Sequence, residues 1–129
     1  MIYLDASALV TATVRRTYAE DLRNFLDAHS GPTATSTIGF VETVRTCDRI
    51  GSYPNLMASL LTDHEEIYLS DEVRDDAARL PGLLRPLDAI HVASAAQLGS
   101  ELTALVTYDQ RMAGAAHGAG LPVALPGME

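Results

Sequence analysis

Apolar and polar residues follow two different spacings along the chain. Short apolar runs predict β-strands, and longer stretches in which apolar residues recur every three or four positions predict amphipathic helices. The predicted strands cover residues 2–4, 33–35, 67–69, 104–107 and 123–125. The predicted helices cover residues 6–13, 18–28, 37–50, 55–61, 71–80, 86–98 and 109–117, with Asp71 as the cap of the fifth. Strands and helices that alternate in this way are typical of an α/β domain with a mostly parallel sheet.

Two aspartates, Asp5 and Asp109, directly follow predicted strands and therefore lie at the carboxyl edge of the inferred sheet. In open α/β sheets this edge is where ligands bind. Each aspartate could equally be the N-cap of the helix that follows it, a position that Asp favours. Taken singly, the two interpretations are balanced. Thr107 lies two residues before Asp109, on the same side of the strand, where its hydroxyl could orient the carboxylate.

Asp88 lies in a helix that is apolar or small on almost every side, which predicts that the helix is buried. A buried carboxylate is unfavourable unless it is paired, hydrogen-bonded or bound to a metal. The alternative is an acid in the first turn that is favoured by the helix dipole, and it is the weaker interpretation here. His91 lies one turn further along the same face, and a hydrogen-bonded core histidine is the preferred interpretation over a substrate contact.

Glu42 is the weakest candidate when the residues are considered alone. With a rotation of about 100° per residue, one face of its helix carries Phe40, Val41, Val44, Cys47 and Ile50. Glu42 lies on the opposite side, near Arg45 and Arg49. A solvated Glu–Arg pair, worth only ~0.2–0.5 kcal/mol, is therefore the default interpretation.

Composition limits the class of protein. The chain has 129 residues, of which 47% are hydrophobic and 20% charged, as expected for one soluble globular domain over residues 1–129. No apolar run approaches the ~20 residues of a membrane helix, and the N-terminus has no recognisable signal peptide. The single cysteine, Cys47, fits the reducing cytoplasm.

Charge limits the chemistry. Seventeen acidic residues against nine basic ones give a net charge of −8, which argues against nucleic-acid binding through a basic face. An acidic chain can still act on phosphates if clustered carboxylates hold divalent cations. All nine basic residues are arginines, and the absence of lysine argues against P-loop NTPases, response-regulator receivers and haloacid-dehalogenase-type phosphatases. The histidines have no metal-ligand spacing such as HExxH, so zinc is not expected.

Several segments, taken in chain order, resemble the PIN-domain family and specifically its VapC-type toxins. They are IYLDASAL at 2–9, TSTIGFVE at 35–42, LRPLDAIHVASA at 84–95, LVTYDQRM at 105–112 and the closing AGLPV at 119–123. Gly39 and Phe40 depart from the aliphatic residues expected before the glutamate. The resemblance spans the whole chain. It implies a three-layer α/β/α sandwich with a mostly parallel central sheet of about four or five strands, forming a single PIN domain.

The resemblance also implies a site. Four carboxylates would act both as catalytic residues and as metal ligands: Asp5, Glu42, Asp88 and Asp109. Ser7 and Thr107 would supply accessory hydroxyls. Two like charges about 4 Å apart repel by about 4 kcal/mol at an effective dielectric constant of about 20, so the cluster calls for Mg²⁺ or Mn²⁺, hard cations that prefer carboxylate oxygens. Candidates for positioning the substrate are Arg111, Arg15 and Arg16.

The implied activity is metal-dependent hydrolysis of RNA phosphodiester bonds, leaving 5′-phosphate and 3′-hydroxyl ends. The implied partners are a VapB-type antitoxin and a second copy of the chain, in a homodimer. Two alternatives stay open: a non-catalytic acidic α/β module that binds protein, and another metal-dependent phosphoesterase that acts on DNA or a small phosphate ester.

Overall fold

The computed structural model describes residues 1–128, in which five strands alternate with seven α-helices. The strands are β1 (Ile2–Leu4), β2 (Thr33–Ser36), β3 (Glu65–Ile67), β4 (Ala104–Val106) and β5 (Val123–Ala124). The helices are α1 (Ala6–Val14), α2 (Ala19–Asp27), α3 (Thr37–Ile50), α4 (Leu56–Asp63), α5 (Asp71–Arg79), α6 (Pro86–Ala96) and α7 (Gln110–Gly118), with a 3₁₀ turn at Gly99–Glu101. None of these helices is long and apolar enough to cross a membrane.

The sheet is parallel throughout, in the order β3-β2-β1-β4-β5. Ile2 of β1 is aligned with Thr33 on one side and with Ala104 on the other. Strand β1 is at the centre of the sheet, with β2 and β3 added in sequence on one side and β4 and β5 on the other. The carboxyl ends of β1 and β4 therefore flank the position at which the strand order reverses, the usual location of a binding crevice in open α/β sheets.

Alternation along β1 and β4 divides the core into two layers. Ile2 and Leu4 face a cluster built with residues of α1, α2, α3 and α4. Tyr3 faces the other side, where it packs among residues of α6 and α7. Helices thus cover both faces of the sheet, which confirms the predicted α/β/α sandwich with a parallel sheet.

Two predicted boundaries around β3 are wrong. The strand was predicted at 67–69 from its apolar residues, but it spans Glu65–Ile67, and Tyr68 and Leu69 are exposed beyond it. An edge strand is held by backbone pairing to its one neighbour, here β2, so it does not require an apolar run. Ser70, and not Asp71, caps α5, because its Oγ accepts the hydrogen bond from the Val73 amide.

Helix α3 is also rotated relative to its predicted face. The residues that it buries are Gly39, Phe40, Thr43 and Cys47. Val41 and Ile50, which were expected in the core, are 44% and 53% exposed. The cause lies at Gly39, where a Cβ atom would collide with the Thr35 side chain of β2. Because Gly39 has no side chain, α3 can approach β2 closely at this residue. Glu42 then lies at the edge of the buried face of the helix.

Candidate active site

Asp5 lies at the carboxyl end of β1 and is 2% exposed. Its Oδ1 accepts hydrogen bonds from the Ser7 hydroxyl at 2.7 Å and from the Ala8 amide at 2.9 Å. Its Oδ2 accepts one from the Thr107 hydroxyl at 2.5 Å. The carboxylate is therefore the N-cap of α1 and, at the same time, part of a network that reaches β4. The two interpretations that the sequence left balanced are compatible.

Ser7 and Thr107 join the ends of β1 and β4. The Thr107 hydroxyl, which donates to Asp5, accepts from the Asp109 amide at 3.0 Å. The Ser7 hydroxyl likewise accepts from the Tyr108 amide at 2.9 Å. Both hydroxyls thus connect Asp5 to the turn that carries Asp109. Their accessory role in a reaction stays a prediction.

Asp109 divides its two oxygens between two tasks. Oδ1 accepts from the backbone amides of Arg111 and Met112, at 2.9 and 3.3 Å, and so caps α7. Oδ2 accepts from the Arg85 guanidinium at 3.2 Å. Oδ1 of Asp109 therefore caps the helix, while Oδ2 contacts the positively charged guanidinium of Arg85.

Asp88 is buried in the first turn of α6, as its apolar surroundings predicted. Its Oδ2 accepts from Nε of Arg85 at 2.8 Å. Because the same guanidinium contacts Asp109, Arg85 bridges the two aspartates. Arg85 was not among the site residues predicted from the sequence. Its position three residues before Asp88, at the N-cap of a predicted buried helix, is the feature that could have identified it.

Glu42 is bonded to histidine rather than to arginine. Its Oε1 lies 2.7 Å from Nε2 of His91, and the ion pairs among residues 1–128 do not join it to Arg45 or Arg49. The expected Glu–Arg pair is therefore wrong, since the rotation of α3 turns Glu42 toward α6. His91 is fully buried, and its Nδ1 lies 2.7 Å from the hydroxyl of Tyr3. It is the hydrogen-bonded core histidine that its position predicted.

The four carboxylates interact electrostatically with two shared groups, the Arg85 guanidinium and the His91 ring. Burial raises the pKa of the Asp5 carboxyl, while the influence of His91 and the hydrogen bonds from hydroxyl and amide donors act in the opposite direction. The hydrogen bond to Asp88, followed by the charge of Asp88, raises the pKa of the Arg85 guanidinium. The charges of Asp109 and Glu42 add to this effect. The charges of Asp88, Asp109 and Glu42 thus all act on Arg85. His91 interacts with both Asp5 and Glu42.

The donor chemistry suits a hard divalent cation, since all four candidate ligands are carboxylates. Their arrangement within residues 1–128 nevertheless includes no group of three Asp, Glu, His or Cys side chains disposed around one metal position. The reason is visible in the contacts: Arg85 lies between Asp88 and Asp109, and hydroxyl and amide donors surround Asp5. The residues fit a hard cation by type, and Arg85 contacts two of them.

The three arginines proposed for the substrate lie in different places. Arg111 is exposed in the first turn of α7, two residues after Asp109. Arg16 reaches back along α1, donating to the Thr11 hydroxyl at 3.1 Å and to the Ser7 carbonyl at 3.4 Å. Arg15 is the C-cap of α1, at the other end of the helix from Asp5, and its backbone is left-handed. Arg15 and Arg16 line an open groove between α1 and α2.

Comparisons with known proteins agree on one family. The family model described as "PIN domain" matches residues 2–118. The chain is 41% identical over 133 residues to "Ribonuclease VapC47" of Mycobacterium tuberculosis, covering 98% of both chains. The crystal structure of the sarcin-ricin loop cleaving toxin VapC20 of the same species has a TM-score of 0.71 at 15% identity, covering 94% of this chain and 96% of that one. A toxin–antitoxin complex from Klebsiella pneumoniae has a TM-score of 0.73 at 22% identity, covering 98% of both.

Proposed function

This chain belongs to the PIN-domain family and, within it, to the VapC-type proteins, and from that premise we propose that it is an endoribonuclease that uses a divalent cation. The observation that carries the proposal is the hydrogen-bonded network that joins Asp5, Asp109 and Asp88 through Thr107 and Arg85 at the carboxyl edge of the sheet. Glu42 lies outside this network, bonded to His91, and its charge acts on Arg85. The name of the relative at 41% identity, a ribonuclease, supports the choice of RNA as substrate.

The four carboxylates are the proposed ligands of Mg²⁺ or Mn²⁺. A cation bound there would supply an activated water and stabilise negative charge on the phosphate. Ser7 and Thr107 hold both oxygens of Asp5, so its orientation is set before any ligand arrives. The N-cap bonds to α7 hold Asp109 in the same way.

Glu42 is positioned by hydrogen bonding. A carboxylate can only accept, so Nε2 of His91 donates to Oε1. The Tyr3 hydroxyl holds the other ring nitrogen, which keeps the imidazole directed at Glu42. This support from the buried layer is the reason to place Glu42 in the proposed site.

Exposed arginines are the proposed contacts for the RNA backbone, because phosphate contacts position a nucleic acid without reading its sequence. Arg111 is the strongest of the three candidates, since it directly follows the helix start that Asp109 caps. Arg16 lies near the site through its bond to the Ser7 carbonyl, and Arg15 lines the same groove. Products with 5′-phosphate and 3′-hydroxyl ends are expected.

We further propose that the chain is the toxin of a toxin–antitoxin pair, bound by a VapB-type antitoxin, and that it forms a homodimer. The toxin–antitoxin complex from Klebsiella pneumoniae, which shares this fold over 98% of both chains, supports an antitoxin partner.

RNA cleavage by the purified chain tests the enzymatic proposal. Cleavage is expected with Mg²⁺ or Mn²⁺ and is expected to stop with EDTA. Asp5→Asn and Asp88→Asn should each lower the rate at least about 100-fold, because each removes a charged ligand. Asparagine retains an acceptor oxygen, so both variants should fold, as circular dichroism would show.

Asp76→Asn is the matched control, because Asp76 is an exposed acid on α5 that pairs with Arg79 away from the site. It should cleave RNA at the native rate. Undiminished cleavage by both site variants would refute the proposal. DNA and small phosphate esters assayed in parallel separate an endoribonuclease from a broader phosphoesterase, and no hydrolysis of any of them would favour a binding module.

A further inference from the structure

We propose that the Arg85 guanidinium is a built-in counter-ion of the acidic site, and that a divalent cation binds by displacing it from Asp88 and Asp109. This inference deepens the proposed function and rests on it, because it takes the two aspartates as metal ligands. It assigns a role to an arginine that the resemblance did not single out.

The contacts place the guanidinium where a cation would have to bind. Its Nε lies 2.8 Å from Oδ2 of Asp88, and its Nη2 lies 3.2 Å from Oδ2 of Asp109. Oδ1 of Asp109 is already occupied by two backbone amides of α7. The oxygen that Asp109 can offer to a metal is therefore the one that Arg85 holds.

Arginine and a metal ion exclude one another at this position. Both are cations, and each uses the same carboxylate oxygens, so binding of one disfavours the other. The guanidinium neutralises part of the repulsion between Asp88 and Asp109 in the metal-free protein. This explains how the acids lie close together although no three ligands surround one metal position in residues 1–128.

Arg85 is placed so that it can leave. Its side chain is 62% exposed, so water solvates the released guanidinium readily. It ends the connection between α5 and α6, in which Gly82 has a φ of +94° and Leu83 is wholly exposed. Leu84, directly before Arg85, packs against the core, so release requires only that the arginine side chain turn toward solvent.

Binding of Mn²⁺ alone, measured by isothermal titration calorimetry on the full chain, tests the inference without an activity assay. Arg85→Gln is expected to bind Mn²⁺ about tenfold more tightly than the native protein, since one competing charge is removed. Arg85→Lys keeps the charge but loses the fork that spans two carboxylates, so a smaller increase is expected. The matched control is Arg79→Gln, which removes another exposed arginine from an i,i+3 pair with an aspartate, Asp76, and should bind as the native protein does.

Thermal unfolding supplies a second readout. In EDTA, Arg85→Gln should melt below the native protein, because Asp88 and Asp109 then repel without a counter-ion. With saturating Mn²⁺ its rise in Tm should exceed the native rise. Asp88→Asn should bind Mn²⁺ weakly in every background, which assigns the heat of binding to this site.

The outcomes separate this inference from the proposed function. Equal or weaker Mn²⁺ binding by both Arg85 variants overturns the competition, whatever the RNA assay shows. Absence of Mn²⁺ binding by every variant overturns the inference and the metal dependence together. Tighter binding by Arg85→Gln in a protein that cleaves no RNA supports the inference and counts against the proposed nuclease.

Discussion

Glu42 is held by a residue 49 positions away in the chain. Its helix spacing placed it opposite the apolar residues and beside arginines, which is the usual environment of a solvated glutamate. His91 of α6 contacts it instead, and Tyr3 of β1 holds that ring from behind. A side chain at the edge of a helix face thus takes its role from whichever element packs against that edge.

His91→Leu is expected to destabilise the fold by about 1–3 kcal/mol, because it removes one partner of the buried Tyr3 hydroxyl and the donor to the Glu42 carboxylate. His91→Gln, which retains an N–H donor, should recover part of the loss. Urea unfolding measures both values. His117→Leu, at an exposed position of α7, is the control and should change the free energy of unfolding by no more than ~0.5 kcal/mol. A native free energy of unfolding in His91→Leu would contradict the chain of hydrogen bonds.

Asp5→Asn is expected to leave the metal-free protein at least as stable as the native one at neutral pH. Burial raises the pKa of Asp5 in the folded state, so the folded state binds this proton more tightly than the unfolded state does. The native protein therefore loses this share of its stability as the pH rises through the folded-state pKa, and the asparagine variant does not. Urea unfolding in EDTA at several values from about pH 4 to about pH 8 measures the difference. A variant less stable than the native protein at neutral pH would contradict it.

Helix α3 shows how one residue sets the position of an element. Gly39 allows the helix to approach β2, and the buried line then runs through Phe40, Thr43 and Cys47. The Thr43 hydroxyl donates to the Gly39 carbonyl at 2.7 Å, so its polar group is satisfied within the helix. The departure from aliphatic residues before Glu42 thus has a steric reason and also determines where Glu42 points.

Gly39→Ala should destabilise the protein by about 1–3 kcal/mol, because the added Cβ collides with the Thr35 side chain. Gly114→Ala is a matched control in the interior of α7, where an added Cβ meets nothing within 4 Å. It should stabilise the protein by about 0.5–1 kcal/mol through helix propensity. Urea unfolding of the two variants checks both signs. Equal effects would mean that Gly39 is not a close-packing position.

At the scale of the whole molecule, the acidic site lies in a chain whose net charge is −8. Strands β1 and β4 bring the acids together at the reversal of the strand order, and the general negative potential adds to the local one. Both would attract a divalent cation, whereas the proposed contacts to RNA are limited to a few exposed arginines.

Mn²⁺ binding should therefore weaken as monovalent salt increases, because salt screens the long-range part of the attraction. We expect the Kd to rise roughly threefold or more between about 20 and about 200 mM NaCl. Calorimetric titration at constant pH measures it, with a neutral solute at matched osmolality as the control. A Kd that does not depend on salt would show that only the directly contacting carboxylates attract the ion.

The sequence by itself determined the order of strands and helices. It also selected Asp88 as a candidate site residue, and it left Asp5 and Asp109 balanced between helix caps and site residues. Both results depend on local spacing. Hydrophobic periodicity shows where an element lies, and the neighbouring residues show that an aspartate follows a strand or lies inside a buried helix. Family resemblance was needed for Glu42. The bounds of β3 were predicted incorrectly, since an edge strand is held by its partner strand rather than by its own apolar residues.

Only the tertiary structure decided which side chains meet. The bridge from Arg85 to Asp109 and the bond from His91 to Glu42 join residues 24 and 49 positions apart. The direction of a side chain depends on how its element rotates against the next one, and that rotation is set by packing between elements. Spacing within one element does not contain this information, so it could not show that Arg85 bridges Asp88 and Asp109.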